Sequence, residues 1–214
     1  MRTEIVAEEI ALHHAPPRAA SCASTITRAR DETRAASPHG FQIRPLEPER
    51  DAPALHRWFV EERAAFWNMR DKSVDEVAAF YRAIEDSGHA QAWLGLRHGT
   101  PAFLFESYDP AHDEAGEHYT VRAGDLGMHL FVGPTATPVP GYTRHVFRTL
   151  MAFLFERLNA ERIVVEPDAR NTRIHALNRA MGFVYDKDVP FREKTASLAF
   201  CTRADFYAAI QQDF

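Results

Sequence analysis

The stretch from Asp125 to Phe183 constrains the fold more than any other part of the chain. Gly127-Met128-His129-Leu130-Phe131-Val132 reads as the strongest strand, and Gly133-Pro134 stops it, because proline offers no N–H to a ladder. A Pro- and Thr-rich loop leads to Gly141, after which Val146, Phe147, Leu150, Phe153, Leu154 and Leu158 recur at helical spacing. Arg162 to Glu166 is a short apolar run suited to a buried strand. Asn171 to Met181 reads as a second helix, with Gly182 placed as its C-cap glycine. Phe183-Val184-Tyr185 then resumes an extended segment.

Strands and helices that alternate in this way stack helices against a sheet. The rest of the chain supplies the other strands. Phe41 to Leu46 alternates as a strand, and Pro48 opens a helix carrying Leu55, Trp58 and Phe59. Phe66 and Trp67 fall in a connection. Ser73 then caps a helix, with Glu76 at the capping-box position and Val77, Phe80, Tyr81 and Ile84 on its apolar side. Ala90 to Leu96 and Ala102 to Ser107 read as a hairpin. An acidic loop begins at Asp109-Pro110, and His118 to Val121 is expected to re-enter a strand. Lys194 to Thr202 alternates as a last strand before a short closing helix. The expectation is an α/β (α+β) domain, a strand meander completed into a mixed sheet by a strand-helix-strand-helix-strand unit.

Residues 1–40 differ in character. They are rich in Ala, Arg, Ser and His, and beyond Ile5, Val6 and Ile10 they show too little apolar patterning to offset chain entropy. A weakly structured extension is expected there, followed by one domain over 41–214. The net charge of -5 disfavours general nucleic-acid binding, which needs surplus Lys and Arg. No apolar run reaches the roughly 18 residues of a membrane span, and Glu4, Glu8 and Glu9 precede any apolar stretch, unlike a secretory signal. A cytoplasmic protein is expected. Cys22 and Cys201 give neither a disulfide framework nor a metal cluster, and the histidine spacing matches no metal site.

Several motifs resemble the GNAT superfamily of N-acetyltransferases, and within it the siderophore acyltransferases. They are Pro45 to Trp58, Phe66-Trp67-Asn68-Met69, Glu106-Ser107-Tyr108, Asp125-Leu126-Gly127-Met128-His129-Leu130 with Gly133-Pro134, and Glu166-Pro167-Asp168-Ala169-Arg170-Asn171. The resemblance implies a sheet whose central strands splay, with acyl-CoA as co-substrate in the gap and no metal. It implies pantetheine along Leu130, Phe131 and Val132, and pyrophosphate at Gly141, Tyr142, Thr143 and Arg144, where the first amides of a helix attract anions. Asn171 and Asn178 fall on the same CoA side. The loop departs from the family's pattern: Pro138 and Pro140 remove donors and only Gly141 remains. Asn178 stands where many relatives carry a tyrosine that protonates the leaving thiolate, and an amide cannot supply that proton.

By the same resemblance His129 and Asp168 are the catalytic candidates, facing each other across adjacent strands. A neutral His129 imidazole would accept a proton near pH 7. Asp168 would act as a base or orient the acceptor, and it is also placed to form an Asx-turn or cap at the following helix. Glu106, Tyr108 and Trp67 would line the acceptor side. The implied reaction is direct transfer of an acetyl, succinyl or longer acyl group to an N-hydroxylated amine of the N-hydroxylysine or N-hydroxycadaverine type. Its implied neighbours are an amine N-monooxygenase and a siderophore synthetase. An aminoglycoside 6'-N-acetyltransferase and a catalytically degenerate acyl-CoA-binding module remain alternatives. For an amino acid acceptor, Arg122, Arg170 and Arg173 are candidate carboxylate partners. Acyl length should depend on Phe131, Phe147 and Met151.

Overall fold

The computed structural model describes residues 40–135 and 139–211. The expected N-terminal extension, Cys22 and part of the loop before Gly141 lie outside them. Seven strands form one sheet in the order β1-β2-β3-β4-β5-β7-β6. In chain order these are β1 (Phe41–Pro45), β2 (Ala90–Arg97), β3 (Thr100–Tyr108), β4 (Asp125–Val132), β5 (Arg162–Val165), β6 (Val184–Pro190) and β7 (Thr195–Thr202). The helices are α1 (Pro48–Phe59), α2 (Val74–Ser87), α3 (Tyr142–Glu156), α4 (Thr172–Ala180) and α5 (Arg203–Gln211). β1 to β4 pair antiparallel in succession, as a meander requires, and β4 with β5 is the parallel pair that follows the α3 crossover.

Strand alternation sends successive side chains to two cores. On one face Leu94, Leu104 and Phe131 pack with Leu55, Trp58 and Phe59 of α1 and Val77 and Tyr81 of α2. On the other face Trp93, Phe103, Phe105 and Met128 pack with Phe147, Leu150, Met151 and Leu154 of α3. The α2 start is a complete capping box: Ser73 accepts from the Glu76 amide while Glu76 accepts from the Ser73 amide. After α4, Gly182 takes φ 91°, and a Cβ there would lie 2.6 Å from the Asp205 carbonyl, so the chain turns where only glycine fits.

Two local expectations change. Phe66 and Trp67 belong to a 3₁₀ helix, Glu62–Trp67, which ends at Asn68 in the left-handed region with φ 54°. His118 to Val121 does not rejoin the sheet. Asp109 and Asp113 accept from the amides of Ala111 and Ala115, which starts two 3₁₀ turns, Pro110–His112 and Glu114–Glu117. Tyr119 then docks by its ring, 5.0 Å from Phe200 and under the Arg162 guanidinium. Side-chain docking replaces backbone pairing in this segment.

The centre of the sheet positions everything that follows. β4 and β5 pair through Asp125↔Arg162, Leu126↔Ile163 and Gly127↔Val164, but β4 continues to Val132. Asp125, almost fully buried, fixes the start of this pair by accepting from Arg162 Nε at 2.7 Å and Nη2 at 2.6 Å. Beyond Gly127 the two strands diverge and leave a gap.

Candidate active site

Three charged side chains meet in one row across the diverging strands. Glu106 on β3 is paired in register with His129 on β4. Continuing the parallel register from Gly127↔Val164 brings Glu166, just past β5, level with the same histidine. His129 Nδ1 lies 2.9 Å from Glu106 Oε2, and its Nε2 lies 2.7 Å from Glu166 Oε1. The second Glu166 oxygen accepts the Tyr108 hydroxyl at 3.0 Å. Gly127 makes that bond sterically accessible. A Cβ at this position would lie 2.1 Å from the Tyr108 ring, so glycine lets the ring cross β4 on its way to Glu166.

Carboxylates only accept hydrogen bonds, so two short contacts to Glu106 and Glu166 require a proton on each ring nitrogen. Burial works against the charged ring, but Glu166 and then Glu106 outweigh it and push the His129 pKa well above its ordinary value. Glu166 responds in the opposite sense: burial raises its pKa, while the His129 charge and hydrogen bond, with Lys194 and Tyr108, bring it down to about 2. The Tyr108 hydroxyl is pushed well up by burial and by Glu166, and stays a neutral donor. The neutral imidazole expected from sequence is therefore replaced by an imidazolium held between two anions.

A cavity of about 510 Å³ opens over this row. His129 is 37% exposed within it, while Glu106 and Glu166 are nearly covered. Of the site residues singled out from sequence, Trp67, Leu130, Asp168, Asn171 and Asn178 line the cavity, joined by Phe66, Asn68, Phe147, Glu166, Arg170, Glu193 and Lys194. The Trp67 ring stands perpendicular to that of His129, 6.5 Å away between centroids, and its indole N–H donates to the Tyr81 hydroxyl. Glu106 and Tyr108 stand behind His129 rather than in the wall. Phe131 packs among Trp58, Phe59 and Trp67, and Met151 is fully buried, so of the three residues expected to set cavity depth only Phe147 reaches it.

Asp168 and His129 share the cavity but bond to different partners. Asp168 accepts from the Arg170 amide at 2.8 Å, forming the Asx-turn, and is gripped by the Arg170 guanidinium at 2.9 and 2.6 Å. That guanidinium holds its pKa down to about 2. Asn171 caps α4, accepting from the Ile174 amide at 3.3 Å. Asn178, buried, donates to the Tyr185 hydroxyl at 2.9 Å. Arg170 is thus committed to Asp168, and among the described residues Arg122 and Arg173 are not in the wall.

The gap also exposes a strand edge. The Gly133 amide donates to the Ala102 carbonyl at 2.8 Å, which fixes the alternation of the β3–β4 ladder. Phe131, His129 and Gly127 turn their backbone groups to β3, so Val132, Leu130 and Met128 turn theirs toward the side that β5 has left. The Val132 carbonyl accepts from Arg63 at 2.6 Å. Gly141, with φ 69°, precedes α3, and Thr143 and Arg144 are exposed on its first turn. Tyr142 turns away, to Phe41 at 5.9 Å and the Arg97 guanidinium at 5.5 Å.

Sequence reasoning missed two groups here. Glu166 stood in the quoted motif, and its role follows from a parallel register that no local pattern reveals. Lys194, whose Nζ lies 3.6 Å from Glu166 Oε1, comes from the β6–β7 turn, where nothing in the sequence set it apart. Cys201 is buried, and burial pushes its thiol up to about 12, which disqualifies it as a nucleophile. Among the described residues no helix is long and apolar enough to cross a membrane.

Comparison with known proteins places this geometry. Residues 47–191 match the family model for the acetyltransferase (GNAT) domain. An N-hydroxyputrescine acetyltransferase from Acinetobacter baumannii is 25% identical over 167 residues, covering 78% of this chain and 80% of that protein. An N(6)-hydroxylysine O-acetyltransferase from Escherichia coli is 25% identical over 171 residues, covering 79% of this chain and 54% of that protein. A hydroxyornithine transacylase from Ajellomyces capsulatus is 24% identical, and this chain spans 36% of its length. Among solved structures, an uncharacterized Bacillus halodurans protein superposes with a TM-score of 0.73 at 23% identity, over 80% of this chain and 89% of that one. The aminoglycoside acetyltransferase AAC(6')-Ib, bound to ribostamycin and coenzyme A, superposes with a TM-score of 0.69 at 19% identity, over 78% and 96%. These structural likenesses establish the fold. With the family model covering well over half of its length and a diverging β4–β5 pair at its centre, the chain belongs to the GNAT family of acetyltransferases, enzymes that draw their acyl group from acyl-CoA.

Proposed function

We propose that this enzyme transfers an acyl group from acyl-CoA to the nitrogen of an N-hydroxylated amine, forming a hydroxamate for siderophore assembly. The observation that carries this reading is the protonation pattern of the cavity. His129 is held as an imidazolium, and Glu166 and Asp168 are carboxylates with pKa values near 2. Such weak bases are poorly suited to strip a proton from an alkylammonium. A hydroxylamine nitrogen is much less basic, is largely neutral in water, and can attack as it stands. The names of the relatives from Acinetobacter baumannii and Escherichia coli support the same acceptor class.

The residues divide the work as follows. The edge of β4 at Leu130 and Met128 pairs with the pantetheine amides, and its amides polarise the thioester carbonyl. Gly141, Thr143 and Arg144 take the pyrophosphate at the start of α3. Asn171 and Asn178 border the acyl-CoA side. The hydroxylamine nitrogen forms a bond to the carbonyl carbon, and the carbonyl electron pair moves to oxygen. The nitrogen then carries a positive charge and a strongly acidic proton, which passes to Asp168. A weak base suffices at that stage. Collapse of the tetrahedral species breaks the C–S bond and releases CoA thiolate, which takes its proton from water. His129, clamped by Glu106 and Glu166, orients the acceptor against the wall formed by Trp67. An amine N-monooxygenase would supply the acceptor, and a siderophore synthetase would consume the hydroxamate.

The test is turnover of acetyl- and succinyl-CoA with N-hydroxycadaverine, N6-hydroxylysine, N-hydroxyputrescine, their parent amines and kanamycin. Release of CoA thiol and ferric-hydroxamate colour are followed together. Colour with at least one hydroxylamine is expected. Turnover confined to kanamycin, or CoA binding with no turnover, would overturn the proposal.

A further inference from the structure

We infer that Lys194 is the residue that distinguishes an N-hydroxylated amine from its parent amine, by donating a hydrogen bond to the hydroxyl oxygen of the acceptor. The inference rests on the hydroxylamine reading above and assigns one group to its specificity.

Glu166 is already served by two close donors, His129 on one oxygen at 2.7 Å and Tyr108 on the other at 3.0 Å. Lys194 Nζ approaches the His129-bound oxygen at 3.6 Å, beyond hydrogen-bond distance, so the contact is Coulombic and leaves ammonium donors to face the cavity it lines. The side chain is 29% exposed, and its ammonium lies over the Phe191 ring at 5.4 Å. The turn that carries it is pinned from both sides. Asn68 donates to Glu193 at 2.9 Å, the Arg192 amide donates to Glu114 at 2.9 Å, and the Phe191 amide closes onto the Lys194 carbonyl at 2.8 Å. A long, flexible side chain is thereby held beside the reacting row rather than left in solvent.

Two cations, Lys194 and His129, therefore flank one carboxylate oxygen on the cavity floor. A protonated primary amine arriving there has no lone pair to offer to either cation. A neutral hydroxylamine carries one extra oxygen with lone pairs, which is the partner an ammonium with spare donors requires. A site built to hydrogen-bond an atom discriminates strongly against the analogue that lacks it.

The experiment compares kcat/KM for matched pairs in the full chain: N-hydroxyputrescine with putrescine, N-hydroxycadaverine with cadaverine, and N6-hydroxylysine with lysine. The pair with the fastest hydroxylamine turnover is then measured in Lys194→Met and Lys194→Arg. The expected result is a hydroxylamine-to-amine ratio that falls roughly ten- to a hundredfold in Lys194→Met, the range for a hydrogen bond to a charged group. Lys194→Arg should recover most of the ratio. A purely structural lysine would lower both substrates together and leave the ratio unchanged, and that result overturns the inference. A wild-type enzyme that makes no hydroxamate from any hydroxylamine sinks the functional reading itself. A wild-type preference that survives in Lys194→Met sinks only the role of Lys194.

Discussion

At the scale of single residues, the central finding is a histidine whose two nitrogens are both occupied. His129 was attractive in sequence as a base, but a ring between Glu106 and Glu166 has no free lone pair. Its charge state is set mainly by Glu166. Glu166→Gln should therefore bring the His129 pKa down, visible as a shifted imidazole titration by NMR; an unchanged titration would leave Glu106 as the controlling partner. The same substitution leaves Tyr108 an amide oxygen to bond, which limits structural loss. Asp168 poses a different question, because it holds a turn as well as facing the cavity. Asp168→Asn retains an oxygen for the Arg170 amide while removing the proton acceptor. We expect kcat to fall by roughly 10² to 10⁴, with the circular dichroism spectrum unchanged. Loss of the spectrum together with activity would make the residue a structural one.

At the scale of elements, the divergence of β4 from β5 decides where chemistry is available. The Asp125–Arg162 ion pair anchors the closed end of this pair, and Asp125 is only 2% exposed. Two residues on, Gly127 has no side chain because the Tyr108 ring occupies that space. Gly127→Ala should push Tyr108 off Glu166 and cost about 1–3 kcal/mol in overpacking. The checks are a lowered denaturant midpoint and a loss of kcat/KM beyond what stability explains. A fully active, equally stable variant would show that the Tyr108–Glu166 bond is dispensable. The capping box at Ser73 and Glu76 was readable from spacing alone, since capping is local chemistry. The segment His118 to Val121 departs from its expected strand for the converse reason: its residues suit a strand, but the docking of Tyr119 on Phe200 and Arg162 depends on neighbours distant in sequence.

At the scale of the whole molecule, the charged row links stability to pH. The His129 pKa is raised above 6.5, so its contribution is fully present below that value and is lost as pH rises through the folded-state pKa. The Glu166 pKa is lowered from 4.5 to about 2, so its contribution is fully present above 4.5 and is lost as pH falls toward 2. The cluster therefore stabilises the fold most between pH 4.5 and 6.5. Thermal melts across pH should show a difference between wild type and His129→Leu that is largest in this window. A difference independent of pH would mean that the row contributes by packing alone. By itself the sequence determined the strand and helix alternation, the caps and the apolar faces, because each depends on spacing within a few residues. It also determined which motifs to watch, His129 and Asp168 among them. Only the tertiary structure decided that Glu166 rather than Asp168 meets His129, that Glu106 stands behind it, and that Lys194 joins from a turn 65 positions later in the chain than His129. Register between strands and the reach of a hairpin tip are settled by the packing of the sheet as a whole, and no local pattern encodes them.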